Sequence, residues 1–192
     1  CALPIFLQPN LVGEIRQAAA QRQFWLADPV LGRRLDPNAL IVEMNYTWRA
    51  TNAQGLIVTD DEQPLRTYVT PKPGNVFRIV VLGGSVIEGD GATGSFSALP
   101  GQLLAELRRN YVPANSTQSE FEVINAGVGG YTVEQELPYF LSELARLQPD
   151  LVVTVDGYAD LVYMNLLIER FGPDFPLLVK DRKSTRLNSS HV

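Results

Sequence analysis

The hydrophobic pattern of this chain changes period several times, and each change predicts an element. Phe77-Arg78-Ile79-Val80-Val81-Leu82 is nearly continuous and ends in Gly83-Gly84, as expected for a strand buried on both faces of a parallel sheet. A helical stripe follows. Pro100 suits the first turn of a helix opening near Leu99, and Leu103, Leu104 and Leu107 fall on one face of it. Phe121-Glu122-Val123-Ile124-Asn125 predicts a second strand. After Tyr131 a helix opens at Thr132, with Gln135 at capping-box spacing, and continues through Leu137, Phe140, Leu141, Leu144 and Leu147. Pro138 lies inside that pattern and predicts a kink, because it removes one donor from the helical ladder. Asp150-Leu151-Val152-Val153-Thr154-Val155 predicts the third strand.

Strand, helix, strand, helix, strand at this spacing predicts an α/β fold, a three-layer α/β/α sandwich around a parallel sheet. Ligands bind such sheets at the loops leaving the carboxyl ends of the strands. Those loops are 83–94, 126–132 and 156–161. Before residue 77 the pattern is weaker. Leu11, Ile15, Ala18, Ala19 and Arg22 are spaced for a helix from Asn10 to Trp25, stopped by Asp28-Pro29. A linker-like stretch follows, then extended pieces over Ala39–Tyr46 and Leu56–Thr59, closed by the turn-rich Pro71-Lys72-Pro73-Gly74-Asn75. Residues 1–75 are thus expected to form a helix and a small extended lobe, and residues 76–180 the α/β domain.

The 192 residues are 45% hydrophobic and 19% charged, ordinary for one globular domain. A net charge of -5 gives no basic face for nucleic acid. Cys1 is the one cysteine, which excludes an intrachain disulfide and a cysteine-rich metal site. The apolar run Ala2–Leu7 is far too short to span a bilayer by itself; it is expected to be either a plain apolar N-terminus or the end of a signal or anchor segment that begins before Cys1. Residues 181–192 have no apolar periodicity and read as an appended tail, similar to translated adapter sequence; they are set aside from fold reasoning. That tail holds His191, the only histidine.

Ser85 is the candidate nucleophile. A serine directly after a buried strand packs poorly, and the Gly83-Gly84 turn is expected to lift its hydroxyl to the rim of the sheet. The plainer alternative is that Ser85 caps the next helix. Gly84-Ser85-Val86-Ile87-Glu88-Gly89 has the two glycines of a phosphate loop, but Asp90 stands where that motif needs lysine. The G-x-G-x-x-G pattern is absent, and Gly83-Gly84-Ser85-Val86-Ile87 lacks the last glycine of G-x-S-x-G.

The stretch Val80-Val81-Leu82-Gly83-Gly84-Ser85-Val86-Ile87-Glu88-Gly89 resembles the first block of SGNH (GDSL-type) hydrolases, in a G-G-S variant. Val123-Ile124-Asn125-Ala126-Gly127-Val128-Gly129-Gly130-Tyr131-Thr132 is similar to the second block, with Gly130 at the functional glycine. Val155-Asp156-Gly157-Tyr158-Ala159-Asp160-Leu161 is similar to the third, G-x-N-D. Asp28-Pro29-Val30-Leu31-Gly32 with Asp36-Pro37-Asn38-Ala39 resembles the lead-in of anchored bacterial members, which implies an extracytoplasmic or membrane-anchored setting.

The resemblance covers 77–161 and implies a flavodoxin-like sheet and an ester hydrolase of acyl or acetyl groups on small molecules, carbohydrate or lipid. It implies no metal and no cofactor. Ser85 would be the nucleophile, with the N–H groups of Ser85 and Gly130 and the third block's asparagine as oxyanion donors. Two departures stand out. Ala159 occupies the asparagine position and offers no donor, a loss worth roughly 3 kcal/mol in such enzymes. Asn165 is too far along the following helix to replace it. The family's D-x-x-H block, which supplies base and orienting carboxylate, is missing, since Asp181 and His191 have the wrong spacing. The expectation is a domain incomplete at its C-terminus and hydrolytically weak or inert as it stands. Glu134, Glu136 and Glu143 are expected on a solvated helix face. A non-catalytic glycan- or acyl-binding module on the same fold is the alternative.

Overall fold

The computed structural model describes residues 24–42, 48–111, 117 and 119–162. The expected helix over its first fourteen positions, Asn165, His191 and the tail from 181 lie outside the described residues. The chain divides into two compact units, Cys1–Val155 and Asp156–Val192.

The first unit is mixed α/β, centred on a three-stranded parallel sheet flanked by helices. Its strands are β5 (Val76–Gly83), β6 (Glu120–Asn125) and β7 (Leu151–Val155), in the order β6-β5-β7. Val80 registers with Ile124 on one side and Val152 on the other. β5 is the central strand, and Ile79, Val80, Val81 and Leu82 are all buried, as its near-continuous apolar run predicts. Side chains alternate across it. Ile79 and Val81 join Ile87, Leu104, Phe121 and Val123 in one cluster. Val80 and Leu82 join Ile124, Tyr131, Tyr139, Leu144 and Leu147 in another.

Arg78 interrupts the apolar run yet is fully buried. Its partner is the residue registered beside it on β6, with Nε 2.5 Å from Glu122 Oε2. Arg66 Nη2 lies 2.6 Å from the other Glu122 oxygen. A charge can stay in this interior only because it is paired.

The helices match the sequence pattern in outline. α1 is the short turn Ser85–Glu88, and α2 (Leu99–Asn110) starts with proline in its first turn and buries Leu104. α3 (Val133–Tyr139) carries the expected capping box, with the Thr132 N–H 3.3 Å from Gln135 Oε1. The disturbance predicted at Pro138 takes the form of a change in helix type. The α-helix gives way to a π turn over Phe140–Leu144 and a 3₁₀ turn over Ala145–Leu147. Pro138 has no N–H for the Glu134 carbonyl, so the ladder is already broken there.

Leu144 and Leu147 are buried, whereas Leu137 and Leu141 are exposed. Glu136, expected on a solvated face, is buried instead, on the side of α3 that also buries Tyr139. A 3.6-residue repeat cannot show which of two adjacent stripes meets the sheet.

The N-terminal expectation needs a larger correction. Trp25 is not the end of a helix, and no linker follows it. Trp25–Asp28 is strand β1, paired antiparallel with β2 (Gly32–Leu35). Asp28 Oδ1 accepts the N–H groups of Val30 and Leu31, both at 2.8 Å, and Gly32 takes a φ of 80°. The Asp28-Pro29 pair that looked like a helix stop forms, with Gly32, a hairpin turn. β3 (Leu40–Val42) pairs antiparallel with β4 (Trp48–Ala50). Phe24, Leu31, Leu35, Leu56 and Ile57 from this N-terminal stretch share the cluster that contains Val80 and Ile124.

In the second unit, residues 158–162 form a helical turn, and the Leu161 N–H bonds the Gly157 carbonyl at 2.9 Å. Ala159 and Asp160 lie on that turn.

Candidate active site

β5 ends in a glycine that nothing larger could replace. A Cβ on Gly83 would fall 2.4 Å from Ile87 Cγ1 and 2.8 Å from the Val155 carbonyl oxygen. The chain leaves the strand there, turns at Gly84, and enters α1 with Ser85 as its first residue. Ser85 is half-buried, and no side-chain cap bond is made at this helix, whose N-cap is Gly84. The capping alternative therefore does not describe Ser85. Its carbonyl accepts the N–H groups of Gly89 at 3.0 Å and Asp90 at 2.8 Å, which closes the turn. Among the described residues its hydroxyl has no hydrogen-bond partner.

Beside this turn lies the loop that leaves β6. Fully buried Asn125 donates to the Ile87 carbonyl at 2.7 Å and accepts the Gly127 N–H at 2.9 Å. Gly127 packs directly on α1, since a Cβ there would be 2.3 Å from Glu88 N. The Val128 N–H reaches the Gly83 carbonyl at 3.0 Å. Gly130 has a φ of 73°, in the left-handed region that favours glycine. A Cβ built on Gly84 would lie 4.0 Å from Gly130 N and 3.5 Å from the Tyr131 carbonyl oxygen. Gly84, the residue before Ser85, thus lies beside the Gly130 backbone at the carboxyl end of the sheet. Among the described residues neither the Ser85 nor the Gly130 N–H has an acceptor.

Two side chains that the sequence did not mark, Glu88 and Arg33, hold this arrangement. Glu88, 1% exposed, places Oε1 2.8 Å from Arg49 Nη1. Its Oε2 accepts the Gly129 N–H at 2.5 Å and the Trp25 indole N–H at 3.4 Å. Burial pushes its carboxyl above the usual range, and the Gly129 N–H and the Arg49 charge oppose that without cancelling it. Arg33, on β2, donates from its guanidinium to the Gly129 carbonyl. Its own carbonyl accepts the Tyr131 hydroxyl at 2.5 Å. Glu88 stood inside the first block and Arg33 directly after the lead-in, but no periodicity or spacing singled them out. Only the folded loop brings them to Gly129.

Among the described residues, the arrangement leaves the Ser85 hydroxyl and the Ser85 and Gly130 N–H groups without hydrogen-bond partners at this end of the sheet. Ala159 and Asp160 belong to the second unit. Among the described residues no group of three or more His, Cys, Asp or Glu side chains could hold a metal ion, and no helix is long and apolar enough to cross a membrane. No family model and no curated protein matches the chain.

Proposed function

We propose that the chain carries the nucleophile and oxyanion-hole elements of a serine ester hydrolase, on a three-layer α/β/α sandwich with a flavodoxin-like sheet. The observation that supports this reading is the approach of the Gly84 turn, which leads into Ser85, to the Gly130 amide: a Cβ on Gly84 would lie 4.0 Å from Gly130 N. Attack of the Ser85 hydroxyl on an ester carbonyl would place negative charge on the carbonyl oxygen. The N–H groups of Ser85 and Gly130 would receive it, stabilising the transition state more than the substrate. A histidine base of the kind the family resemblance implies would take the serine proton and pass it to the departing alcohol as the ester C–O bond breaks, and water would then release the acyl group from Ser85 as the acid. The substrate is an acyl or acetyl ester of a small alcohol, a carbohydrate or a lipid.

Ala159 favours a second reading, a glycan- or acyl-binding module that has lost catalysis. Turnover of p-nitrophenyl acetate by the intact gene product, its Ser85→Ala variant and its Ala159→Asn variant separates the two. The hydrolase reading expects turnover that Ser85→Ala abolishes and Ala159→Asn raises about a hundredfold. Turnover indifferent to Ser85→Ala overturns it. No turnover with or without Ala159→Asn, together with retained binding of an acetylated glycan, favours the module.

A further inference from the structure

Gly129 is held at both ends by side chains from separate parts of the chain. Glu88, on the helix that begins with Ser85, accepts its N–H. Arg33, on the N-terminal hairpin, donates to its carbonyl. The carbonyl of Gly129 and the N–H of Gly130 belong to one planar trans peptide, so they point in opposite directions and turn together. Whatever fixes the first aims the second.

We propose that Arg33 is a positioning residue for the Gly130 N–H: by gripping the Gly129 carbonyl it sets the direction in which that amide donates, with Glu88 as the opposite anchor. This rests on the hydrolase reading for its catalytic consequence, while the orientation of the amide is a property of the fold alone.

The need for such a grip follows from the local sequence. Val128-Gly129-Gly130 places two glycines together, and Gly130 sits at a φ of 73°. Glycine has the widest choice of backbone angles, so this peptide would otherwise sample many orientations. An oxyanion donor is effective only when it is already aimed before reaction. A carbonyl that accepts a charged hydrogen bond also polarises its peptide, which strengthens the N–H on the other side. Two further bonds fasten the hairpin nearby, from the Tyr131 hydroxyl of the same loop to the Arg33 carbonyl at 2.5 Å and from Gln135 Nε2 of α3 to the Leu31 carbonyl at 2.7 Å. The N-terminal hairpin is therefore part of the site, although it contributes no group that touches substrate.

Arg33 is only partly buried, so Arg33→Ala is expected to fold. In the intact gene product, Arg33→Ala should lower kcat on p-nitrophenyl acetate roughly ten- to a hundredfold with KM within about twofold. Affinity for phenylboronic acid, which forms a tetrahedral adduct on a serine, should fall in parallel with kcat. Arg33→Lys, which keeps a cationic donor, should recover part of both. In 1H–15N spectra the Gly130 amide should shift and exchange faster with solvent in Arg33→Ala, while amides of β5 and β6 stay in place. An unchanged Gly130 amide in folded Arg33→Ala and Arg33→Lys overturns the proposal. So does a loss of activity that appears wholly in KM. If Ser85→Ala leaves turnover intact, the hydrolase reading fails, and the amide spectra still decide whether Arg33 aims Gly130.

Discussion

Gly127 lies where the β6 loop packs directly on α1. Its missing side chain lets the β6 loop lie on the backbone of α1, where a Cβ would come within 2.3 Å of Glu88 N and 2.5 Å of the Ile87 carbonyl carbon. Both neighbours are backbone, which cannot turn aside as a side-chain tip can. Gly127→Ala is therefore expected to cost about 1–3 kcal/mol and to separate Gly130 from Ser85. Gly74, where a Cβ meets nothing within 4 Å, is the control, and Gly74→Ala should be near neutral. Urea denaturation of the two variants reads the difference. Residue identity at the site is thus set as much by what must be absent as by the hydroxyl that is present.

Among the elements, α3 links the site to the N-terminal hairpin through a single glutamine. Gln135 Oε1 accepts the Thr132 N–H and closes the capping box, while its Nε2 donates to the Leu31 carbonyl at 2.7 Å. One side chain thus fixes both the start of α3 and the position of the hairpin turn. Gln135→Ala removes both bonds and should destabilise by about 1–3 kcal/mol. Gln102 also donates to a carbonyl, that of Ser97 at 2.8 Å, but on an exposed surface where water replaces it. Gln102→Ala should stay within about 0.5 kcal/mol of the parent in the same thermal or urea melts. Further along α3, the π turn after Pro138 keeps Leu144 and Leu147 in the core and leaves Leu137 and Leu141 outside.

At the scale of the first unit, ion pairs fasten the N-terminal stretch to the α/β part. Asp60 receives a bidentate pair from Arg108 of α2, at 2.8 and 2.7 Å, and accepts the N–H groups of Glu62 and Gln63. Burial alone would raise its carboxyl, yet Arg108 and the two N–H groups outweigh it and hold the group below its ordinary value of 3.8. A carboxyl lowered in the folded state binds protons more readily when unfolded. Its contribution to stability is complete above 3.8 and is lost as pH falls through the folded value. Asp60→Asn should lower stability at neutral pH and flatten the acid limb of the stability–pH curve below that value. Urea midpoints measured across the acid range test this, and an acid limb unchanged by the substitution contradicts it.

The sequence by itself determined the parallel strands, the α2 stripe and the capping box, because each is written in local periodicity or in turn chemistry that burial only reinforces. It also placed Ser85 directly after a buried strand and marked Gly130 in a glycine-rich loop. What it left open were choices that depend on partners distant in the chain. The Asp28 turn closes a hairpin, Glu136 rather than Leu137 faces inward, and Arg78 is buried because Glu122 registers beside it. Arg33 and Glu88 reach Gly129 across 96 and 41 positions. A side chain's partner at that separation is set by how the elements pack, and no window of local sequence contains it.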